Sequence, residues 1–270
     1  MLFRSYIMKK VIAIALTVLL AISCFAGCGS TGTTLADVQK AGKLTVATSP
    51  DFPPFESLGA DGEVFGIEID ILNLICAELG VELDIQQVDF DSVLPGVQAG
   101  KYHMGASGIS VTPAREENTL FTAPYCLAAQ AIVVTKDSPI TSKSDLTGKT
   151  VSVQTGTTAE TYCMENSYDV ASFTANADAE AALVAGKVDA WVIDDLTAAE
   201  MVKIYNAENG EKLVILDEAM TTEPYAFAFA FGSEDLVAKI NEILSDLVAD
   251  GTVAAIFEKY EAPYTAPTAE

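Results

Sequence analysis

Arg115 is the side chain in this sequence best suited to gripping an anion. Its planar guanidinium can meet a carboxylate with two parallel hydrogen bonds, which a lysine point charge cannot. It precedes Glu116 and Glu117, so taken alone it also reads as a solvated surface ion pair of little energetic weight. Ser107, Gly108 and Ser110 just upstream favour the first reading. A glycine lets its backbone amide approach a bound group closely, and the Ser110 hydroxyl adds a donor. Gly156 precedes Thr157 and Thr158 at an expected helix start. Unpaired amides and the helix dipole favour an anion there, and the same residues also read as an ordinary helix cap. Asp194 ends an apolar run expected to be a buried strand, at the sheet edge where α/β proteins hold ligands. Its carboxylate suits a cationic group. Asp195 competes for that role and is preferred as the cap of the following helix. Phe52 offers a ring to lie over a ligand, or a core aromatic beside Phe55.

Several other chemistries are excluded. His103 is the sole histidine, which removes most histidine-based metal and triad chemistry, and it reads as a turn residue. Gly148-Lys149-Thr150 looks like the end of a phosphate-binding loop. Lys143 stands where that loop needs a glycine, however, and the triplet precedes a strand instead of following one. The formal charge of −23 includes three cations, Arg4, Lys9 and Lys10, that all precede Cys28. The chain beyond is therefore more acidic still, which argues against nucleic acid or an anionic lipid surface as partner.

The elements that must position these residues follow from alternating short apolar runs and helical periods, a pattern of α/β units. Strands are expected over 44–48, 81–88 and 104–109. A helix with Ile71, Leu72, Leu74, Ile75 and Leu79 on one stripe is closed by Gly80, and another is capped by Asp91 and ended by Gly100. Runs over 130–135 and 225–231 are expected at two crossings between lobes. Between them come strands over 150–154, 188–194 and 213–216, with helices from about Thr158, over 176–186 and over 195–207. A last long helix, with Leu236, Ile240, Ile243, Leu244 and Leu247 on one face, stops at Gly251. Ala99-Gly100-Lys101 and Ala185-Gly186-Lys187 each close a helix before a strand, a weak internal echo that suggests two similar lobes.

The first residues read as an export signal. Lys9 and Lys10 precede an apolar run over 11–22, shorter than the roughly 20 residues a spanning helix needs. Met8 opens this pattern, so 1–7 reads as an upstream start. Phe25-Ala26-Gly27-Cys28, followed by Gly29, Ser30 and Thr31, resembles a bacterial lipoprotein signal, with a plain secreted protein as the alternative. In that family the cysteine matching Cys28 is diacylated and becomes the first mature residue; Phe25 departs from the usual leucine three places before it. Two acyl chains anchor stably where one does not. Cys24 leaves with the signal. Cys76, Cys126 and Cys163 permit at most one bridge and are expected as buried free thiols.

Gly66-Ile67-Glu68-Ile69-Asp70-Ile71, with Ile75, Cys76 and Leu79, fits the signature of the polar amino-acid-binding proteins of ABC transporters, bacterial extracellular solute-binding protein family 3. The segment from Thr48 to Glu56 resembles that family's first binding loop. The segment from Ser107 to Arg115 resembles its carboxylate-binding segment. Those from Gln154 to Thr158 and from Asp189 to Asp194 resemble the two ligand segments of its second lobe. In order and spacing the resemblance covers nearly all of 35–262. It implies an α/β, two-lobed type II periplasmic-binding-protein (Venus flytrap) fold, each lobe a mostly parallel sheet flanked by helices. Two hinge crossings join the lobes.

The expected divisions are a signal peptide over 1–27, a tether over 28–34 and a first lobe over 35–131. A second lobe over 132–223, a return to the first lobe over 224–262 and a loose tail over 263–270 follow. The implied function is an extracytoplasmic, monomeric lipoprotein anchored through Cys28 to the outer face of the cell membrane. It hands a polar amino acid to an ABC permease served by a separate ATPase, with no cofactor, no metal and no catalytic residue of its own. The alternatives are an enzyme like the cyclohexadienyl dehydratases on the same fold, or a sensor subunit that presents ligand to a membrane receptor. The implied ligand contacts are Ser49, Asp51, Phe52, Ser107, Gly108, Ser110, Arg115, Thr157, Thr158 and Asp194. Ser49 departs from the family, since several relatives carry an aspartate there that reads the ligand side chain. Asp51, Glu56 and Glu68 are further candidates for that pocket.

Overall fold

A computed structural model describes residues 32–267. The expected signal peptide, Cys28, tether residues 28–31 and tail residues 268–270 lie outside the described residues. The first lobe opens with α1 (Leu35–Ala41), β1 (Lys43–Thr48) and a small antiparallel sheet of β2 (Asp51–Phe52), β3 (Glu56–Leu58) and β4 (Val64–Phe65). It continues through α2 (Ile67–Leu79), β5 (Glu82–Gln87), α3 (Phe90–Gln98), β6 (Met104–Gly105), α4 (Pro113–Glu116) and β7 (Leu120–Phe121). The short strand β8 (Cys126–Ala128) leads to the second lobe. That lobe holds β9 (Gln130–Thr135), β10 (Thr150–Gln154), α5 (Thr158–Glu165), β11 (Asp169–Phe173), α6 (Asn176–Val184), β12 (Ala190–Asp194), α7 (Asp195–Asn209) and β13 (Leu213–Ile215). The chain returns through β14 (Glu223–Tyr225) to β15 (Ala228–Phe229), α8 (Glu234–Ala249) and α9 (Thr252–Lys259).

Each lobe is built on a five-stranded sheet, ordered β5-β1-β6-β15-β7 in the first and β11-β10-β12-β9-β13 in the second. The patterns are equivalent: three parallel strands, then two joined by antiparallel pairing. The sequence echo is real at this level. At both turns the residue after the glycine donates to the carbonyl four residues before that glycine, Lys101 to Gly96 and Lys187 to Ala182, and Gly100 and Gly186 both have positive φ. A side chain there would be strained, so glycine ends the helix and releases the next strand. β12 is buried along its whole length, Trp191 included, as expected of a strand with neighbours on both edges and helices on its faces.

Several expectations need correction. The run over 130–135 is not a crossing, and of the run over 225–231 only Tyr225 belongs to one. Gln130–Thr135 lies wholly in the second sheet and Ala228–Phe229 in the first, while the strands that pass between lobes are β8 and β14, paired antiparallel. The second sheet thus begins at Gln130, two residues ahead of the expected boundary. Asp89, not Asp91, precedes α3, and Ala99 follows it. The strand expected over 104–109 shrinks to Met104–Gly105, because Gly108 takes φ 52° and turns the chain toward the cleft. β11 escaped notice: only Val170, Ala171 and Phe173 among its residues are apolar, and none of its side chains is fully buried. Residues 263–267 are not loose. Thr265 accepts the Leu127 N–H at 2.9 Å and the Tyr264 hydroxyl donates to the Tyr125 carbonyl at 3.1 Å, so this segment lies along a hinge strand. Cys76, Cys126 and Cys163 are buried free thiols.

Gly66 shows why the motif at the start of α2 opens on glycine. Its φ is 145°, and a Cβ there would stand 2.1 Å from the Phe55 carbonyl oxygen. That close approach lets Ile67 and Glu68 donate backbone N–H bonds to Pro54 and Phe55, tying the helix start to the loop that carries Phe52. Gly66→Ala is therefore expected to cost about 3 kcal/mol of folding stability, read as a lowered urea midpoint at unchanged slope.

Candidate functional site

A small cavity lies where the lobes meet. Phe52, Phe90, Ser107, Gly108, Ser110 and Arg115 line it from the first lobe, and Gln154, Thr157, Thr158 and Asp194 from the second. Most of these residues sit just past the carboxyl ends of parallel strands, where an α/β sheet leaves backbone groups and side chains free to face a ligand.

Arg115 is placed by the short helix α4. Thr112 caps it by accepting the Arg115 N–H, and Pro113 opens it. Nη1 donates to the Ser110 carbonyl at 2.8 Å and Nη2 reaches across to the Gly156 carbonyl at 3.2 Å. The guanidinium carbon stands 5.8 Å from the centre of the Phe90 ring, in cation–π range. Burial pulls its pKa down, while the carboxylates of Glu223 and Asp194 oppose that shift. The remaining N–H donors of the fork have no protein acceptor among the described residues.

Asp194 ends β12 and is buried. Burial pushes its pKa up to about 7, the nearby charge of Glu223 adds to the rise, and a hydrogen bond from Gln130 Nε2 at 2.9 Å opposes it. Gln130 also donates to Thr158 Oγ1 at 3.2 Å, while its Oε1 is buried without a partner. Asp195 is not the cap preferred from sequence. It is the first helical residue, and its carboxylate accepts the N–H of Ala129 and of Leu196. That pins the outgoing hinge strand to the helix start and leaves Asp194 to the cavity.

Thr157 is spent on structure. Its hydroxyl donates to the Gln154 carbonyl and accepts the Glu160 N–H. The cap nevertheless leaves the amides of Thr158 and Ala159 without an intrahelical acceptor at the mouth of α5. Ser107 and Gly108 also differ from expectation. The Ser107 hydroxyl donates to Glu56 Oε1 at 2.7 Å and accepts the Ser49 N–H, and the Gly108 amide donates to Glu68 Oε1 at 3.1 Å. Neither group is left for a ligand. Glycine is needed at 108 because a Cβ would come within 2.4 Å of the Phe52 ring, which lies against Phe55 and Tyr225.

Glu56 and Glu68 are not pocket residues; both are fully buried beneath the loop. Glu68 accepts from the Tyr125 hydroxyl as well. Burial raises Glu68 to about 7, and burial together with the neighbouring Glu68 holds Glu56 well above the usual carboxylate range. Ser49 is buried and directs its hydroxyl to Asp51, whose carboxylate faces Gln154 and Asn176; neither Ser49 nor Asp51 lines the cavity. Phe90 is a lining residue that sequence reasoning missed, and Gln154, which opens one of the expected ligand segments, was not singled out as a contact. Both follow or end a strand, β5 and β10, and that position was the available signal. His103 is half-buried at a turn, its Nδ1 accepting the Thr45 N–H. A second, mostly apolar cavity adjoins the first through Phe90, with Asp91 and Gly156 on its own lining. Among the described residues no acidic, cysteine or histidine cluster could hold a metal ion, and no helix is long and apolar enough to cross a membrane.

Comparison with known proteins points the same way. Residues 44–263 match the family model for bacterial extracellular solute-binding proteins, family 3. The L-cystine-binding protein TcyJ of Escherichia coli (strain K12) is 28% identical over 254 residues, covering 93% of this chain and 92% of TcyJ. A solved ancestral arginine-binding protein bound to glutamine is 36% identical with a TM-score of 0.76, covering 82% of this chain and 99% of its own. The ancestral amino acid-binding protein AncCDT-1, a precursor of cyclohexadienyl dehydratase, is 34% identical with a TM-score of 0.77, covering 84% and 99%.

The raised pKa of Asp194 has a consequence for stability. Its favourable contribution is complete below the ordinary carboxylate value of 3.8 and is lost as pH rises through about 7. Asp194→Asn removes the buried charge. The ligand-free variant is expected to melt higher than the parent at pH 8, by roughly 2–4 kcal/mol in stability, and level with it near pH 4. Melting curves at the two pH values check this.

Proposed function

The chain belongs to the bacterial extracellular solute-binding proteins, family 3, and on that premise we propose that its interlobe cavity closes on a free polar amino acid, as the substrate-binding lipoprotein of an ABC importer. One observation carries the reading: Arg115 enters the cavity from one lobe and Asp194 from the other, opposite charges on opposite walls. A zwitterion satisfies both at once, and neither charge need then be buried unpaired. In this reading the ligand carboxylate meets the Arg115 fork, the Ser110 hydroxyl and the free amides at the start of α5. The ammonium meets Asp194 and the unpartnered Gln130 Oε1. Phe52 and Phe90 wall the side chain.

Because the two walls belong to different lobes, only the closed form makes every contact, and that difference drives closure. The closed protein then delivers its amino acid to a permease whose ATPase is a separate chain. Diacylation at Cys28 holds it, as a monomer, at the outer face of the cell membrane. AncCDT-1 is itself an amino acid-binding protein, which supports binding over dehydration in this chain.

A thermal-shift panel of the twenty L-amino acids plus L-cystine tests the proposal. A ligand with micromolar Kd, supplied at millimolar concentration, should add about 4 kcal/mol. A panel without a shift overturns the reading, and turnover of prephenate or arogenate assigns the enzyme instead. Arg115→Ala is expected to abolish the shift while the ligand-free protein still melts cooperatively. Pairing with an ammonium lowers the Asp194 pKa from about 7, so binding releases a proton below neutrality. Affinity is therefore expected to rise between pH 5 and 7 and then level off, as calorimetry in buffers of different ionisation enthalpy can measure.

A further inference from the structure

We propose that Asp51 is a closure latch: a first-lobe carboxylate that caps a second-lobe helix and sets how long the cleft stays shut, without touching the bound molecule. The idea of a closing cleft rests on the function proposed above; the latch itself rests on separate contacts. Asp51 follows a tight turn over Ser49, Pro50 and Asp51, closed by the Asp51 N–H to the Ser49 carbonyl at 2.8 Å. The Ser49 hydroxyl donates to Oδ1 at 3.0 Å, which orients the carboxylate away from the cavity.

From the second lobe, the Asn176 N–H donates to Oδ2 at 2.8 Å and Gln154 Nε2 donates to the same oxygen at 3.1 Å. Asn176 Nδ2 lies 3.4 Å from the Asp51 carbonyl oxygen. Asn176 is the first residue of α6, a helix of nine residues whose N-cap, Ala175, has no side-chain oxygen to offer. Helix starts prefer a capping oxygen and a negative charge, and here the other lobe supplies both. The receptor is organised within its own lobe, since Asn176 Nδ2 donates to Gln154 Oε1 at 3.0 Å and Gln154 Nε2 donates to the Thr174 carbonyl at 3.0 Å. Those two bonds lie wholly within the second lobe and hold both side chains in place, so closure costs little ordering entropy there. Opening breaks charge-assisted bonds and uncaps α6. A bond made only in the closed form raises the closed population whatever the ligand side chain.

Asp51→Ala, Asn176→Pro, which removes the N–H that Asp51 accepts at a first helical position where proline is tolerated, and the double variant test this against the same amino-acid panel. For whichever amino acid binds the parent, each single variant is expected to weaken binding about tenfold or more through faster release, the worth of a hydrogen bond to a charged group. The double variant should lose little more than the worse single one, and the rank order of the panel should not change. Asp51→Asn, which keeps the shape and loses the charge, should fall between. An altered rank order in Asp51→Ala alone would show that Asp51 reads the ligand side chain, and additive losses or unchanged affinities would show no latch; either overturns the proposal. Ligand-free melting of each variant controls for folding.

A second arm needs no ligand and decides the question even if the whole panel fails to bind. Spin labels at Glu82→Cys and Asp169→Cys, exposed positions in β5 and β11, report the interlobe distance. The ligand-free parent should show a short-distance population that Asp51→Ala depletes at least severalfold. Identical distributions would overturn the latch.

Discussion

Charge brought out of water from two directions is the constraint around which the protein is arranged. Arg115 and Asp194 lie in one cavity yet belong to different lobes, and each is shifted by burial away from its charged form. Neither lobe alone can relieve that situation, because a lone desolvated charge is costly and each lobe holds one sign. In the function proposed above, a small molecule carrying both complementary charges relieves it when the lobes meet. The two-lobed plan, the thin hinge and the open ends of the parallel strands all serve that encounter.

Beneath the ligand wall of the first lobe sits a second buried arrangement of charge. Glu56 and Glu68 are inside the core, and they take up the hydroxyl of Ser107 and the amide of Gly108. Groups expected to meet a ligand directly instead fix the loop that presents Phe52 and Ser110. Gly66 and Gly108 make room for this, one beside a carbonyl and the other beside a ring. The price is two raised carboxyl pKa values in the interior, tolerated because a carboxyl that keeps its proton is far cheaper to bury than a carboxylate.

The hinge is correspondingly slight. Two three-residue strands, β8 and β14, pair across it, and Asp195 and residues 264–265 tie β8 down at its two ends. Little regular structure joins the lobes here, and the other bonds between them lie out in the cleft, at Asp51 and Arg115.

The sequence by itself determined the family, the alternation of strand and helix, the glycine-closed helix ends and most of the residues that line the cavity. These are local matters: periodicity, turn chemistry and short motifs are written in neighbouring residues. What it could not determine was the direction each polar group takes. Ser107, Gly108 and Thr157 stand in the right segments, but their hydrogen bonds run to Glu56, Glu68 and Glu160, and Asp51 turns from the ligand to Asn176, 125 residues away. Phe90 had only its position after a strand to mark it. The crossings were placed on the strongest apolar runs, whereas burial on both faces had sent those runs into the sheets and left the hinge to the short segments beside them. A hydrogen bond is chosen by whichever partner the fold brings within about 3 Å, and for most of this site that partner comes from a distant stretch of the chain.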